Sequence, residues 1–173
     1  KLASAIFNKK AFNNIGKYFN STNQIFFKFI ASQFLDAIVV GIIITIAFSI
    51  MGIKYAPLLG FMIGLFNMIP YFGSIIAVAI SALITLISGG LVQTIWMVII
   101  AVILQQIDAN IINPKILGNS LKISPLIIIA AVTIGGAYFG IIGMFLAVPV
   151  AAALKIIVID LIDYRLAEKE KNN

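Results

Sequence analysis

Along this chain polar positions are sparse and gather at a few points, dividing the sequence into apolar segments of unequal length. From Lys1 to Asn20 the residues Leu2, Ile6, Phe12, Ile15 and Phe19 recur at helical spacing with Lys and Asn between them. That pattern fits an amphipathic helix on a membrane surface, and equally a cytosolic connector from an upstream part. Ser21 and Gln24 have capping-box spacing and predict a helix start at Ser21. The helix then runs without proline to Met51-Gly52, long enough at about 1.5 Å per residue to exceed the ~30 Å hydrocarbon core. Asp36 falls early in this span and reads as an interfacial residue, or as a partner of Lys28 two turns before it, with a part in coupling as the lesser alternative.

The next apolar run, Pro57 to Met68, is too short for a crossing, since a dozen helical residues reach only about 18 Å. It ends in Asn67-Met68-Ile69-Pro70-Tyr71-Phe72-Gly73, where Pro70 biases Ile69 away from helix and Gly73 permits a tight backbone. The chain is therefore expected to turn back within the membrane, with Ser74 to Ser88 as the return arm and Gly89-Gly90 as its stop. Leu91 to Asn113 is long enough to span, with Trp96 toward an interfacial end and Gln105, Gln106, Asp108, Asn110 and Asn113 at the other. Pro114 is expected to end this helix, and a polar loop leads to Pro125. A second short arm reaches Gly135-Gly136, Tyr138-Phe139-Gly140 follows, and an apolar arm through Gly143 and Pro149 continues to Ile162.

Two short hydrophobic segments broken at corresponding places, around Tyr71-Phe72-Gly73 and Tyr138-Phe139-Gly140, are the sequence pattern of a transporter built from an internal repeat. The expected architecture is an all-α integral membrane protein, a helical bundle with two broken or re-entrant hairpins in an inverted-repeat arrangement. Its parts are an interfacial segment 1–20, a transmembrane bundle 21–162 and a charged cytoplasmic tail 163–173. Within the bundle the order is span 22–52, hairpin 57–88, span 91–113 and hairpin 124–159. Six full crossings would distribute the lysines in the same way, so segment length is what favours hairpins.

Composition supports lipid as the solvent: 62% of residues are hydrophobic and 10% charged, far from a soluble domain. The net charge of +6 is concentrated near the amino end in Lys1, Lys9, Lys10, Lys17 and Lys28, and Lys115, Lys122, Lys155 and Arg165 fall on the same side in either topology. The positive-inside bias then puts both ends in the cytoplasm. No soluble platform presents this charge to a nucleic acid, so none is expected as a partner. The chain opens on Lys rather than Met and reads as a fragment of a longer protein.

The sequence has no Cys and no His, which removes disulfides, thiolate chemistry and the usual zinc constellations, and no cofactor or metal is expected. Ser74, Ser81, Thr85, Ser88, Thr94 and Thr133 lack a histidine base, and Gly89-Gly90 and Gly135-Gly136 lack the Lys-Ser/Thr of a phosphate loop. No enzymatic function is therefore expected. Asp108 is the leading candidate for chemistry, because a carboxylate at membrane depth beside Gln105, Asn110 and Asn113 can exchange a proton or hold a cation; the alternative is a carboxylate at the cytoplasmic end, solvated or paired with Lys115 or Lys122. Asn67, Tyr71 and Tyr138 stand at the two breaks, where helix ends free backbone N–H and C=O groups to bind polar ligands. Pro70, Gly73, Gly135, Gly136, Gly140 and Pro149 are the hairpin or gating candidates, with close helix packing as the alternative role of the glycines. Gly60 and Gly64, four residues apart, are expected to touch another helix.

Three blocks carry a family resemblance: Gly60 to Gly73, Asn113 to Leu121 (NPKILGNSL) and Gly135 to Pro149. In order and approximate spacing they resemble the autoinducer-2 exporter (AI-2E) family of membrane permeases, over roughly Phe29 to Leu154. The resemblance implies the C-terminal half of a secondary transporter of the bacterial cytoplasmic membrane, homo-oligomeric and pentameric. Its implied cargo is a small polar solute such as the autoinducer-2 signal, or sodium in exchange for protons. Asp108 and the pair Asn113-Pro114 sit at positions matching the family's motifs. A passive oligomeric pore and a non-transporting scaffold are the competing classes, separated by saturable counterflow, stepwise currents and partner capture.

Overall fold

The computed structural model describes residues 9–117 and 123–171, and among these every regular element is helical. Helix α1 is Lys9–Ile50, α2 is Ala56–Asn67 and α3 is Phe72–Ile107. A π-helical segment, Asp108–Ile112, joins α3 to the short α4, Asn113–Leu117, and α5 is Pro125–Lys171. Among the described residues three stretches are long and apolar enough to cross a membrane: Thr22–Ile50, Phe72–Ile116 and Pro125–Ile159. The all-α membrane class expected from the sequence is thus what the chain adopts.

Two expected boundaries are corrected. No helix begins at Ser21, which lies inside α1, because nothing upstream, neither a proline nor a glycine pair, forces the chain out of helix there. Pro114 does not end the helix either. The π-helical segment shifts the hydrogen-bond register, so that the Asn113 N–H bonds the Asp108 carbonyl five residues back. Pro114 then occupies the first turn of α4.

Helix α1 buries Phe29, Gln33, Asp36, Val40, Ile44 and Phe48, a stripe at steps of three and four that faces the rest of the bundle. After the turn at Met51-Gly52, α2 runs back along α1 at very short range. A methyl group on Gly60 would sit 2.8 Å from the Gly41 carbonyl oxygen, and one on Gly64 would sit 2.9 Å from Gly41 Cα. Only glycine at all three positions lets the two backbones touch, which is how membrane helices gain packing energy without a hydrophobic drive. The register set by this contact carries the end of α2 down to Gln33 and Asp36.

The helix then breaks over residues 68–71, where Pro70 lacks an N–H and Tyr71 takes a positive φ of 65°. Helix α3 departs from this break and is itself interrupted at Gly90, whose φ of 80° and ψ of 177° are open only to glycine. Its two arms, 72–89 and 91–107, lie against one another: Gln105 Nε2 donates to the Ser74 carbonyl at 3.3 Å, and Ala77, Met97 and Ala101 share one apolar cluster. Gln93 Nε2 reaches the Gly52 carbonyl at 3.0 Å, so the Gly90 turn and the Met51-Gly52 turn stand at the same end of the bundle. The break at 68–71 stands at the opposite end of α2.

Helix α5 is interrupted at Gly140 (φ 62°, ψ −147°). Gly135 and Gly136 lie within its first arm rather than at the turn. There they face Gly143 and Met144 of the second arm, so their want of a side chain serves close packing. Val132, Ala147 and Val148 meet Phe29 of α1 in a second apolar cluster, with Ile69 and Phe72 of the first break against it and the Phe145 ring 5.9 Å from that of Phe29.

Candidate functional site

Asn67 is the last residue of α2, and the close α1–α2 packing carries its side chain between two acidic residues. Its amide nitrogen donates to Asp36 Oδ2 at 3.0 Å and to Asp108 Oδ2 at 3.0 Å. One side chain at the edge of the 68–71 break thereby bridges the first helix to the π-helical segment. Gln33, one turn before Asp36, donates its own amide to the Met68 carbonyl at 3.1 Å, a group freed by the break. Asp36 is 1% exposed, Gln33 1% and Asp108 6%. Asp36 lies within the Thr22–Ile50 stretch, two turns after the exposed Lys28.

Asp108 is placed by α3, its N–H bonding the Leu104 carbonyl four residues back, and the π-helical turn begins with it. An α-helical continuation of α3 advances each residue by about 100°, whereas the wider turn displaces the backbone by one residue, a device that recurs at functional sites. The two bridged oxygens each lie 3.0 Å from one nitrogen, so they are at most 6.0 Å apart. At an effective dielectric of about 20, two unit negative charges at that separation repel by about 3 kcal/mol. A buried acidic pair of this kind calls for a proton, a cation or donors.

A cavity of about 480 Å³ opens beside the pair. Its polar lining comes from Gln33, Asn67, Tyr71, Ser74, Gln105, Gln106, Asp108 and Asn113, and its apolar walls include Phe29, Ile128 and Val148. All three parts of the chain contribute: α1, the elements from α2 to α4, and α5. A cavity of this size, mostly apolar with a few convergent polar groups, is suited to a small polar molecule.

Of the residues singled out in the sequence, Asn67, Pro70, Tyr71, Gln105, Asp108 and Asn113 come together around this cavity. Gly73 is buried against the Phe66 carbonyl, and Pro149 is fully buried next to Val148. Asn110 is exposed and bonds the Gln106 carbonyl at 2.7 Å, turned away from the cavity. Tyr138 is 80% exposed and neither it nor Gly140 lines the cavity, so the second break does not meet the first there. Asp36 corrects an expectation: it is no interfacial partner of Lys28, which is exposed, but a buried partner of Asn67. The signal for this was the stripe Phe29, Gln33, Asp36, Val40, Ile44, in which both polar residues keep step with the apolar ones.

The AI-2E family transporter profile matches residues 2–163. The chain belongs to the AI-2E transporter family. It is 39% identical over 137 residues to "Putative transport protein YrrI" of Bacillus subtilis (strain 168), covering 79% of this chain and 38% of that protein. "Putative transport protein YueF" of the same organism is 32% identical over 139 residues, 80% of this chain and 37% of that protein. "Putative permease PerM" of Escherichia coli (strain K12) is 28% identical over 144 residues, 83% of this chain and 41% of that protein. The chain thus spans about two-fifths of the length of these AI-2E relatives. The matched portion contains both carboxylates, the bridging amide and the cavity.

Proposed function

We propose that the AI-2E chain is the part of a secondary transporter that holds the passage for a small polar solute, with the cavity beside Asp108 as the solute site. The autoinducer-2 signal is one candidate of suitable size and polarity. The observation that carries the reading is the Asn67 bridge: a broken helix ends its first arm on two buried carboxylates, beside a cavity. Ionisable residues at membrane depth are costly and mark ion and substrate pathways. A discontinuous helix meeting such residues near the midplane is the recurring plan of secondary transporters.

In this reading α2 and the 72–89 arm form a re-entrant hairpin. The lengths support it, since α2 covers about 18 Å, well short of the ~30 Å core, and its end is bonded to Asp36 within the α1 span. The two arms of α5 form the second hairpin, related to the first by an inverted repeat, and movement of the hairpins gives alternating access. Asp36 and Asp108 couple solute movement to protons or sodium. The assembly is a homo-oligomer, a pentamer, in the bacterial cytoplasmic membrane with both ends in the cytoplasm. A sodium/proton antiporter without an organic cargo is the second reading, favoured by the acidic pair itself.

The test is counterflow with the full-length protein in proteoliposomes, screened over small polar solutes. A carrier gives saturable counterflow that Asp108→Asn uncouples from a pH or sodium gradient. Stepwise single-channel currents would replace the carrier with a pore, and gradient-driven flux unchanged in Asp108→Asn would remove Asp108 from coupling.

A further inference from the structure

A serine or threonine inside a helix can satisfy its hydroxyl on the carbonyl four residues earlier. Thr45, Ser88, Thr94 and Thr133 all do so, at 2.7, 2.8, 2.9 and 2.8 Å. Ser81 and Thr85 do not: both are completely buried, and neither hydroxyl has a hydrogen-bond partner. They lie one turn apart in the middle of the 72–89 arm, on the face that also carries Ser74, Ala77 and Ser88 at steps of three and four. At one end of this face Ser74 lines the cavity beside the first break. At the other end, about 21 Å away at ~1.5 Å per residue, Ser88 stands two residues before the Gly90 turn. A line of hydroxyls thus leads from the cavity to the opposite end of the bundle, and its two inner members are unpaired.

We propose that Ser74, Ser81, Thr85 and Ser88 line the stretch of the solute passage between the cavity and the Gly90 turn, closed in this structure and opened when the 72–89 arm moves away from the rest of the bundle. This rests on the transport reading and goes beyond it, because it assigns the route that leaves the cavity. A seam that served packing alone would be as well served by alanine, as Ala77 serves it within the apolar cluster on the same face. A buried hydroxyl with no partner has lost its water without replacement, and that loss is recovered whenever the arm opens and water or solute reaches it. The groups on offer also set the class of solute. A hydroxyl both donates and accepts, and no charged residue occurs between Lys54 and Asp108, so the route suits an uncharged polar molecule.

The experiment is thiol labelling of the full-length protein in proteoliposomes, with any cysteine elsewhere replaced and hydroxyethyl methanethiosulfonate, an uncharged hydroxyl-bearing reagent, as the probe. The thiolate is the reactive form, so a thiol that meets water reacts and one held in apolar surroundings does not. Ser81→Cys is expected to react at least tenfold faster than two controls: Leu83→Cys, exposed on the outer face of the same arm, and Val132→Cys, completely buried in the second apolar cluster. Adding Thr85→Val favours the closed arm, because it removes a hydroxyl that only the open arm satisfies, and slows the Ser81→Cys reaction about fivefold. A Ser81→Cys rate no faster than either control, or one that Thr85→Val leaves unchanged, would overturn the route and leave this face a packing seam. Should Ser81→Cys not fold, Thr85→Cys is read against the same controls, with Ser81→Ala in place of Thr85→Val. Solute counterflow is read separately: counterflow in the parent protein with Ser81→Cys as slow as the controls removes this inference alone, and fast labelling without counterflow removes the solute reading alone.

Discussion

Replacing Asn67 by leucine removes the bridging amide while keeping the side-chain volume close, and the two carboxylates make its effect opposite in sign to that of neutralising either acid. Asn67 donates at 3.0 Å to each of Asp36 and Asp108. A hydrogen bond to a charged group contributes about 1.5–3 kcal/mol, so the loss of both costs about 3–6 kcal/mol. Asp36→Asn behaves differently. Its amide oxygen still accepts from Asn67, so one charge-assisted bond becomes a neutral one at a cost of about 1 kcal/mol, while the repulsion between the acids, about 3 kcal/mol at most when neither a proton nor a cation offsets it, disappears. The expected balance is no loss, and a gain of up to about 2 kcal/mol. The assay is thermal or denaturant unfolding of the purified full-length variants in detergent at neutral pH, with the double variant Asn67→Leu/Asp108→Asn closing a cycle. In the cycle Asn67→Leu costs less when Asp108 is neutral, because one of the two charged acceptors is gone. An Asn67→Leu protein within about 1 kcal/mol of the parent, or an Asp36→Asn protein destabilised as much as Asn67→Leu, would refute the bridged-pair geometry.

Gly64→Ala sets a methyl group 2.9 Å from Gly41 Cα and 3.0 Å from its nitrogen. Neither is a flexible side-chain end, so α1 and α2 must part, and a loss of about 1–3 kcal/mol is expected in the same unfolding assay. Gly140→Ala forces a side chain into φ 62°, ψ −147°, and a cost of about 1–3 kcal/mol is expected, read as a lower unfolding midpoint. Thr85 is completely buried with its hydroxyl unpartnered, so Thr85→Val is expected to raise stability by about 1 kcal/mol, with a fall in the midpoint as the contrary result.

Local signals carried a good part of this fold. Length and apolar runs separate α1 from the short α2, and Pro70 and the glycines at 90 and 140 mark backbone interruptions, because each acts within a residue or two of itself. Asn67 and Asp108 stand out in sequence as polar residues in apolar surroundings, and they lie within hydrogen-bond distance. What could not be read locally is register. Asp36 finds its partner 31 residues away, and only the packing of Gly41 against Gly60 and Gly64 brings Asn67 to its level. Read alone, a carboxylate eight residues after Lys28 looks interfacial. Pro114 misleads for the same kind of reason, since the π-helical turn that accommodates it has no marker in composition. Tyr138 matches Tyr71 in sequence context, yet the packing of α5 leaves it exposed.

The chain's lack of cysteine allows a thiol to be placed at the break itself, at Tyr71, which lines the cavity. In the full-length protein, with any cysteine elsewhere replaced, Tyr71→Cys in sealed vesicles is treated with a membrane-impermeant thiosulfonate, and solute flux is followed. Modification that blocks flux and is slowed by the transported solute is the result predicted for a break that lines the passage at depth. Modification that leaves flux untouched, or proceeds at the same rate with and without solute, would contradict it.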